Sequence, residues 1–295
     1  MSLIVKAMRP RQWIKNFMVF PALVFSGNLS NVRDVIAVGG GFVVFCLLSG
    51  AVYLFNDLRD KDNDRRHPTK RLRPIASGEL SEAAARRAAL MLVIAGLGLS
   101  LALNIVTTTV GFDFFAVGVV YLLLQVAYTL HLKHVVILDV GCIAAGFVLR
   151  VLAGVAIIDV PVSMWIIVCT TLLALFLGFG KRRHELTLLN TGAGEHRKIL
   201  EEYSPYFLDQ MIAVVTASTV IAYSLYTLDP QTVAKFGTDK LPLTIPFVIY
   251  GIFRYLYLVH QKEEGGSPSR VLISDKPILI NMALWFVAVV VLIYH

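Results

Sequence analysis

From Phe42 to Gly78 the chain reads FVVFCLLSGAVYLFNDLRDKDNDRRHPTKRLRPIASG. The first 14 of these residues carry no charge, whereas the next 23 hold four Asp and seven Lys or Arg. An apolar run that ends abruptly in dense charge is what a membrane helix shows where it meets water. If that helix continues through the motif, its step of about 100° per residue sets Asn56, Asp57, Asp60 and Asp64 within one arc and leaves Asp62 opposite. Three carboxylates and an amide on one face form an oxygen-rich cluster. Mg²⁺ binds this way, through one or two carboxylates completed by substrate phosphates. Arg65, Arg66, Lys70, Arg71 and Arg73 follow at once and could hold the phosphates themselves. The plainer reading is a solvated charged loop. The one-faced acidic pattern and its position at the dry end of an apolar helix speak for a metal–phosphate site instead.

Working outward, 57 % of the 295 residues are hydrophobic and only 16 % are charged. The mean hydropathy is +0.70, a membrane-protein composition. Nine apolar stretches of spanning length are read at about 14–30, 35–55, 83–103, 110–130, 136–157, 162–180, 206–228, 241–261 and 277–294. The first is short and contains Pro21. No small-residue cleavage site follows it, so it is read as a retained helix. With the N-terminus in the cytoplasm, 22 of the 27 Lys and Arg fall on the cytoplasmic side and three outside. That is a strong positive-inside bias. The net charge of +7 is therefore taken to reflect membrane topology and not a nucleic-acid partner. Cys46, Cys142 and Cys169 all lie in apolar runs, and no disulfide is expected. The expected fold is an all-α integral membrane protein of about nine helices, built as one domain over residues 1–295. Its localisation would be the cell inner (plasma) membrane, multi-pass, with the active site facing the cytoplasm.

The pattern Asn56-Asp57-x-x-Asp60-x-x-x-Asp64, then His67-Pro68 and Lys70-x-x-Arg73-Pro74-x-x-x-Gly78, resembles the first Asp-rich motif of the UbiA superfamily of intramembrane prenyltransferases. In that superfamily the motif binds Mg²⁺ and a diphosphate. The resemblance extends to the superfamily's decaprenyl-phosphate phosphoribosyltransferase branch. It is carried by RPRQWIKN (9–16), YLFNDLRDKDNDRRHPTKRLRPIASG (53–78), YTLHLKHVVILDV (128–140), GFVLRVLAG (146–154) and FGKRRHEL (179–186). It implies a nine-helix bundle and transfer of 5-phosphoribose from phosphoribosyl pyrophosphate to a polyprenyl phosphate, with release of pyrophosphate. A cell-wall arabinan precursor would be the destination. Asp57, Asp60 and Asp64 would be catalytic and, with Asn56, would hold Mg²⁺. The alternative within the superfamily joins a prenyl diphosphate to an aromatic acceptor.

Several other residues bear on this choice. After the sixth span most members carry a second Asp-rich motif, but here Lys181-Arg182-Arg183-His184-Glu185 stands in its place. More cations suit a more heavily phosphorylated, polar donor, although such a cluster could also bind anionic lipid heads. Tyr128 and Lys133 lie in a polar cluster between the fourth and fifth spans. The expected substrate contacts are Lys15, Asn56, Arg65, Lys70, Arg73, Tyr128, Lys133, Lys181, Arg182, Arg183 and Glu185. Lys15 and Arg9 belong to a segment, Arg9-Pro10-x-x-Trp13-x-Lys15-Asn16, that either anchors at the interface or faces the catalytic cavity. Asp139 and Arg150 lie within the fifth span, where a charge must be paired or functional. Arg254, nearer a helix end, is expected to snorkel. No partner for Arg150 can be named from the sequence, and self-association into a homo-oligomer is left open.

Overall fold

The computed structural model describes residues 2–67, 69–106, 113–190, 198–262, 271 and 274–294. Among these the secondary structure is helical, with no strand. The α-helices are α1 (Leu3–Ala7), α2 (Pro21–Phe25), α3 (Val32–Arg59), α4 (Lys61–Arg66), α5 (Glu82–Val106), α6 (Asp113–Leu130), α7 (Leu138–Ile158), α8 (Met164–Asn190), α9 (Pro205–Leu228), α10 (Pro230–Phe236), α11 (Ile245–Gln261) and α12 (Lys276–Tyr294). Eight helices among the described residues are long and apolar enough to cross a membrane.

The first expected span, 14–30, is not one of them. Its place is taken by a 3₁₀ segment, Pro10–Val19, and the short α2. Pro10 and Pro21 each open a new segment, and neither could continue an α-helix through its own position. With about three residues per turn, a 3₁₀ run stacks side chains three apart. Trp13, Asn16 and Val19 accordingly share one edge; Asn16 and Val19 are buried, while Phe17 is 56 % exposed. Local capping residues fix several helix starts: Asn31 caps α3, Ser204 caps α9, and the Ser81 hydroxyl accepts from the Ala84 N–H at 3.3 Å. All three cysteines are free. Pro68, Glu195, Arg197 and most of the Gly/Ser-rich connector between the last two spans lie outside the described residues.

The chain divides into two compact units, residues 1–132 with 149–162, and residues 133–148 with 163–295. In the first unit α3 is central. Phe45, Leu48 and Val38 pack with Val19 and Leu23, with Phe114 and Tyr121 of α6, and with Ile157 of α7. Inside a bilayer such packing stabilises by close van der Waals contact, which favours small residues at crossings. Gly154 of α7 is the tightest case. A Cβ there would stand 2.0 Å from the Val19 carbonyl oxygen, a backbone atom. Gly154→Ala is therefore expected to cost about 1–3 kcal/mol, as overpacking does. It should lower the thermal midpoint of the detergent-solubilised protein; an unchanged midpoint would contradict this packing.

In the second unit α8 and α9 pair closely and α11 pairs with α12. The core holds Val140, Phe176, Phe179, Leu200, Tyr203, Leu208, Tyr255 and Ile278. Arg254 does not simply snorkel. Its guanidinium forks onto Asp275 at 3.3 and 2.8 Å, tying α11 to the start of α12. That hydrogen-bonded partner holds the Asp275 carboxyl below its usual range.

Candidate active site

The charged end of α3 keeps its helical hydrogen bonding but bends. Asp60 has φ −95° and ψ 5°, and α4 begins at the next residue. The Asp60 N–H donates to Asn56 O at 2.9 Å and the Asp64 N–H to Asp60 O at 2.8 Å. The turn therefore carries Asp64 round to the side of Asp57, and both residues are 2 % exposed. They share one partner: Arg73 Nη1 lies 3.2 Å from Asp57 Oδ1 and 2.6 Å from Asp64 Oδ2. Arg9 Nη2 also donates to Asp57 Oδ1. The Asn56 amide oxygen accepts from the Thr129 hydroxyl of α6. Asp60 is half-buried, and Asp62, on the far side as the spacing requires, is exposed and pairs with Arg65.

Local sequence explains why Arg73 arrives here. The His67 ring Nδ1 accepts the backbone N–H groups of Thr69 and Lys70 at 3.0 and 3.1 Å and so starts the 3₁₀ turn Lys70–Leu72. Beyond Arg73 the loop dives inward. Ile75 is 2 % exposed and packs with Ala7, Met8, Leu54, Leu80, Ala85 and Ala88. Gly78, at φ +85°, turns the chain back toward α5 in a conformation that favours glycine. Arg65 is exposed, and its Nε reaches the Ala76 carbonyl at 3.3 Å, so it braces this loop. Arg9 is held at a cost. It sits in the left-handed region at φ 54°, which for a non-glycine residue is worth about 1–3 kcal/mol of strain. The same residue places its guanidinium 4.9 Å from the Tyr53 ring centroid and onto Asp57. Strain at a residue that contacts the acidic pair is consistent with a functional post.

Do these residues suit a divalent cation? Among the described residues no three acidic, His or Cys side chains stand together as a ready metal site. Two buried carboxylates nevertheless converge on one point, and a guanidinium occupies it as a monovalent stand-in. Both donors are hard carboxylate oxygens, the kind that Mg²⁺ takes, and Asn56 and Asp60 follow on the same stretch of chain. The residues fit.

Deeper in the first unit a second polar group is buried. Arg150, 6 % exposed, donates from Nε to Asn16 Oδ1 at 2.8 Å and from Nη2 to Tyr121 Oη at 3.0 Å. It also lies over the Tyr121 and Phe45 rings, 4.8 and 5.8 Å from their centroids. Asn16 in turn donates to Ser49 Oγ at 3.2 Å. Lys15 lies beside this group, with Arg150 and Arg9 as the charges acting on it.

In the second unit, Arg182, which the sequence places among the candidate phosphate-gripping cations, is engaged by carboxylates of the chain itself. It is 1 % exposed, and its Nε donates to Asp139 Oδ2 at 2.6 Å while Nη1 donates to Glu185 Oε2 at 2.6 Å. Burial and two carboxylates commit it to building the fold. Asp139, fully buried, also accepts from the Tyr203 hydroxyl at 2.7 Å. That hydroxyl takes the Ile137 N–H at 2.7 Å, at a residue strained to φ 69°. Burial pushes the Tyr203 phenol well above its ordinary range, and the adjoining carboxylate adds to this, so it stays a neutral donor. Glu185 also pairs with Lys181 at 3.5 Å, and Arg183 reaches Asp209 at 3.2 Å. Lys181, Arg183 and Lys133 are half-buried, the last in the turn Leu132–His134; Tyr128 of the first unit is also half-buried, next to Thr129.

A family model described as the UbiA prenyltransferase family matches residues 17–287. The chain belongs to the UbiA prenyltransferase family. Among its relatives, a decaprenyl-phosphate phosphoribosyltransferase of Corynebacterium glutamicum is 35 % identical over 98 % of this chain and 86 % of that one. A protein of the same name from Mycolicibacterium smegmatis is 34 % identical over 99 % of this chain and 92 % of its own. The fold is likewise that of the family: a UbiA homolog from Archaeoglobus fulgidus, solved with GPP and Mg²⁺, superposes with TM-score 0.72 over the whole of both chains at 19 % identity.

Within this UbiA-family chain the residues that sequence reasoning missed are Arg9 as a carboxylate partner, Thr129, and the Tyr203–Asp139 pair. Arg9 left a signal in its position just before Pro10, and Asp139 left one as a charge within an apolar span. Tyr203→Phe removes the bridge between Asp139 and the Ile137 N–H. It is expected to cost about 1–3 kcal/mol, the price of orphaned buried polar groups. Amide exchange over residues 133–138 should quicken; unchanged exchange there would refute the bridging role.

Proposed function

We propose that this protein transfers 5-phosphoribose from phosphoribosyl pyrophosphate to a polyprenyl phosphate and releases pyrophosphate. The observation that carries the reading is the near full-length likeness to relatives named decaprenyl-phosphate phosphoribosyltransferase, at 31 to 35 % identity. The geometry supports it. Asp57 and Asp64, with Asp60 and Asn56, would hold Mg²⁺. Bound there, the ion would supply charge neutralisation to a departing diphosphate. Arg73 and Arg9 now neutralise those carboxylates, and both are partly open, with side chains 26 % and 29 % exposed. Their remaining N–H groups suit diphosphate oxygens, because guanidinium forks match phosphate geometry. Lys70 lies in the same loop and is a further candidate for the donor. In the second unit Lys133, Lys181 and Arg183 are the cations assigned to a substrate phosphate.

The C-terminal part of α8 also favours a phosphorylated sugar donor over a prenyl diphosphate. At that position this chain places Arg182 on two carboxylates of its own and flanks it with Lys181 and Arg183. The acceptor, a phosphate monoester, is already ionised at neutral pH, so no strong general base is needed. By the charge bias, the reaction takes place at the cytoplasmic face of the inner membrane, and the product would serve arabinan synthesis for the cell wall.

The test uses purified protein in detergent or liposomes. Incubated with labelled phosphoribosyl pyrophosphate and decaprenyl phosphate, it should move label into the organic phase in a Mg²⁺-dependent manner. Prenylation of 4-hydroxybenzoate from a prenyl diphosphate, without ribosyl transfer, would overturn the assignment.

A further inference from the structure

We propose that Lys15 seats the phosphate of the lipid acceptor, on the membrane side of the carboxylate pair. This rests on the transfer reaction proposed above. Among the described residues the Lys15 ammonium makes no hydrogen bond or ion pair, and the two charges acting on it, Arg150 and Arg9, are both cations. An ammonium that feels two guanidiniums without a counter-charge of its own is unfavourable by itself, and a dianion relieves all three. Arg9 is already committed to Asp57, and Arg150 to Asn16 and Tyr121, so Lys15 is the member left to meet a ligand directly.

Depth decides which phosphate this is. Asn16, the next residue, is hydrogen-bonded to Ser49 and Cys46. These precede Asp57 on α3 by eight and eleven residues. At about 1.5 Å per residue, that is roughly 12–17 Å further into the membrane. Arg9, meanwhile, reaches the level of Asp57 itself. The Lys15 backbone, next to Asn16 in the same 3₁₀ segment, therefore stands inward of the carboxylates, on the side from which a lipid-borne phosphate arrives.

The chemistry requires the same order. An oxygen of the acceptor phosphate forms a bond to ribose C1 while the bond from C1 to the diphosphate oxygen breaks. The electron pair leaves with the diphosphate, and no proton moves. Attacking and leaving oxygens lie on opposite sides of C1, as in other displacements at an oxocarbenium-like centre. With the diphosphate at the outer carboxylates, the attacking phosphate belongs on the inner side. Arg150, held by Asn16 and Tyr121 and lying over two rings, is a positioning residue that keeps this inner region positive.

Steady-state kinetics on Lys15→Met and Lys15→Arg test the assignment. Lys15→Met should raise KM for decaprenyl phosphate about tenfold or more, the loss of one charge-assisted hydrogen bond, with KM for phosphoribosyl pyrophosphate changed less than about twofold. Lys15→Arg should recover most of that loss. A rise confined to the phosphoribosyl pyrophosphate KM, or no change in either, overturns the proposal. Should Lys15→Met fail to fold, amine acylation of the wild type read by mass spectrometry takes its place. Decaprenyl phosphate alone should protect Lys15, and phosphoribosyl pyrophosphate alone should not; the reverse pattern, or protection by neither, refutes it. Protection is read without turnover. A wild type that binds the lipid at Lys15 yet transfers no phosphoribose would defeat the reaction assignment while sparing the phosphate seat.

Discussion

Asp57→Asn should lower phosphoribosyl transfer by about a thousandfold or more while leaving the protein folded. Removing a single preorganised group that stabilises developing charge already costs about 10²–10³ in rate. Here one substitution removes half of the carboxylate pair and weakens any divalent ion held by it. Asparagine conserves volume, so packing around the 2 % exposed side chain is kept. Arg9 and Arg73 lose one carboxylate but retain partial access to solvent and, for Arg73, its 2.6 Å contact with Asp64. Asp62→Asn is the matched control. Asp62 is exposed, lies on the far side of the helix from the pair and meets Arg65 at 3.4 Å. Its activity should stay within about twofold, since exposed pairs are worth little. Label transfer into the organic phase measures both. An Asp57→Asn variant within threefold of wild type would remove the carboxylate pair from the reaction.

The second large effect is on stability. Arg182→Met leaves Asp139, fully buried, and Glu185 without the cation between them. Breaking a buried pair by removing one partner costs about 3–5 kcal/mol, because the other charge stays behind. The thermal midpoint in detergent should fall by roughly 10 °C, taking about 2–4 °C per kcal/mol for a chain of this size. Asp139→Asn combined with Arg182→Met should recover more than half of that fall, since a pair replaced as a unit is often nearly neutral. If the single variant were as stable as wild type but had a raised donor KM, Arg182 would be a phosphate ligand after all.

What the sequence made legible was local. The 14 uncharged residues before Asn56, the spacing of Asp57 and Asp64 and the Lys/Arg bias were enough for an all-helical membrane bundle with an acidic motif at one helix end. Helical periodicity even placed Asp62 on the far side. What it hid was pairing across distance. Nothing near Arg182 shows that Asp139, 43 residues earlier, will consume it. Nothing near Arg150 names Asn16, 134 residues away. The first span failed for a local reason that competed with hydropathy. Pro10 and Pro21 cut an apolar stretch into a 3₁₀ run and one α-turn pair, and composition alone does not register that cut. The metal question stands between these cases. Spacing placed Asp57 and Asp64 on one face, but only the structure shows the two carboxylates meeting on a guanidinium.

The central claim is that Asp57 and Asp64 exchange the Arg73 guanidinium for a divalent ion when the donor binds. Anomalous scattering from crystals grown with Mn²⁺ and phosphoribosyl pyrophosphate measures this directly. The account predicts a Mn²⁺ peak between the Asp57 and Asp64 carboxylates, with Arg73 moved onto the donor diphosphate. Donor bound elsewhere, with both carboxylates still on Arg73 and no ion between them, would contradict it.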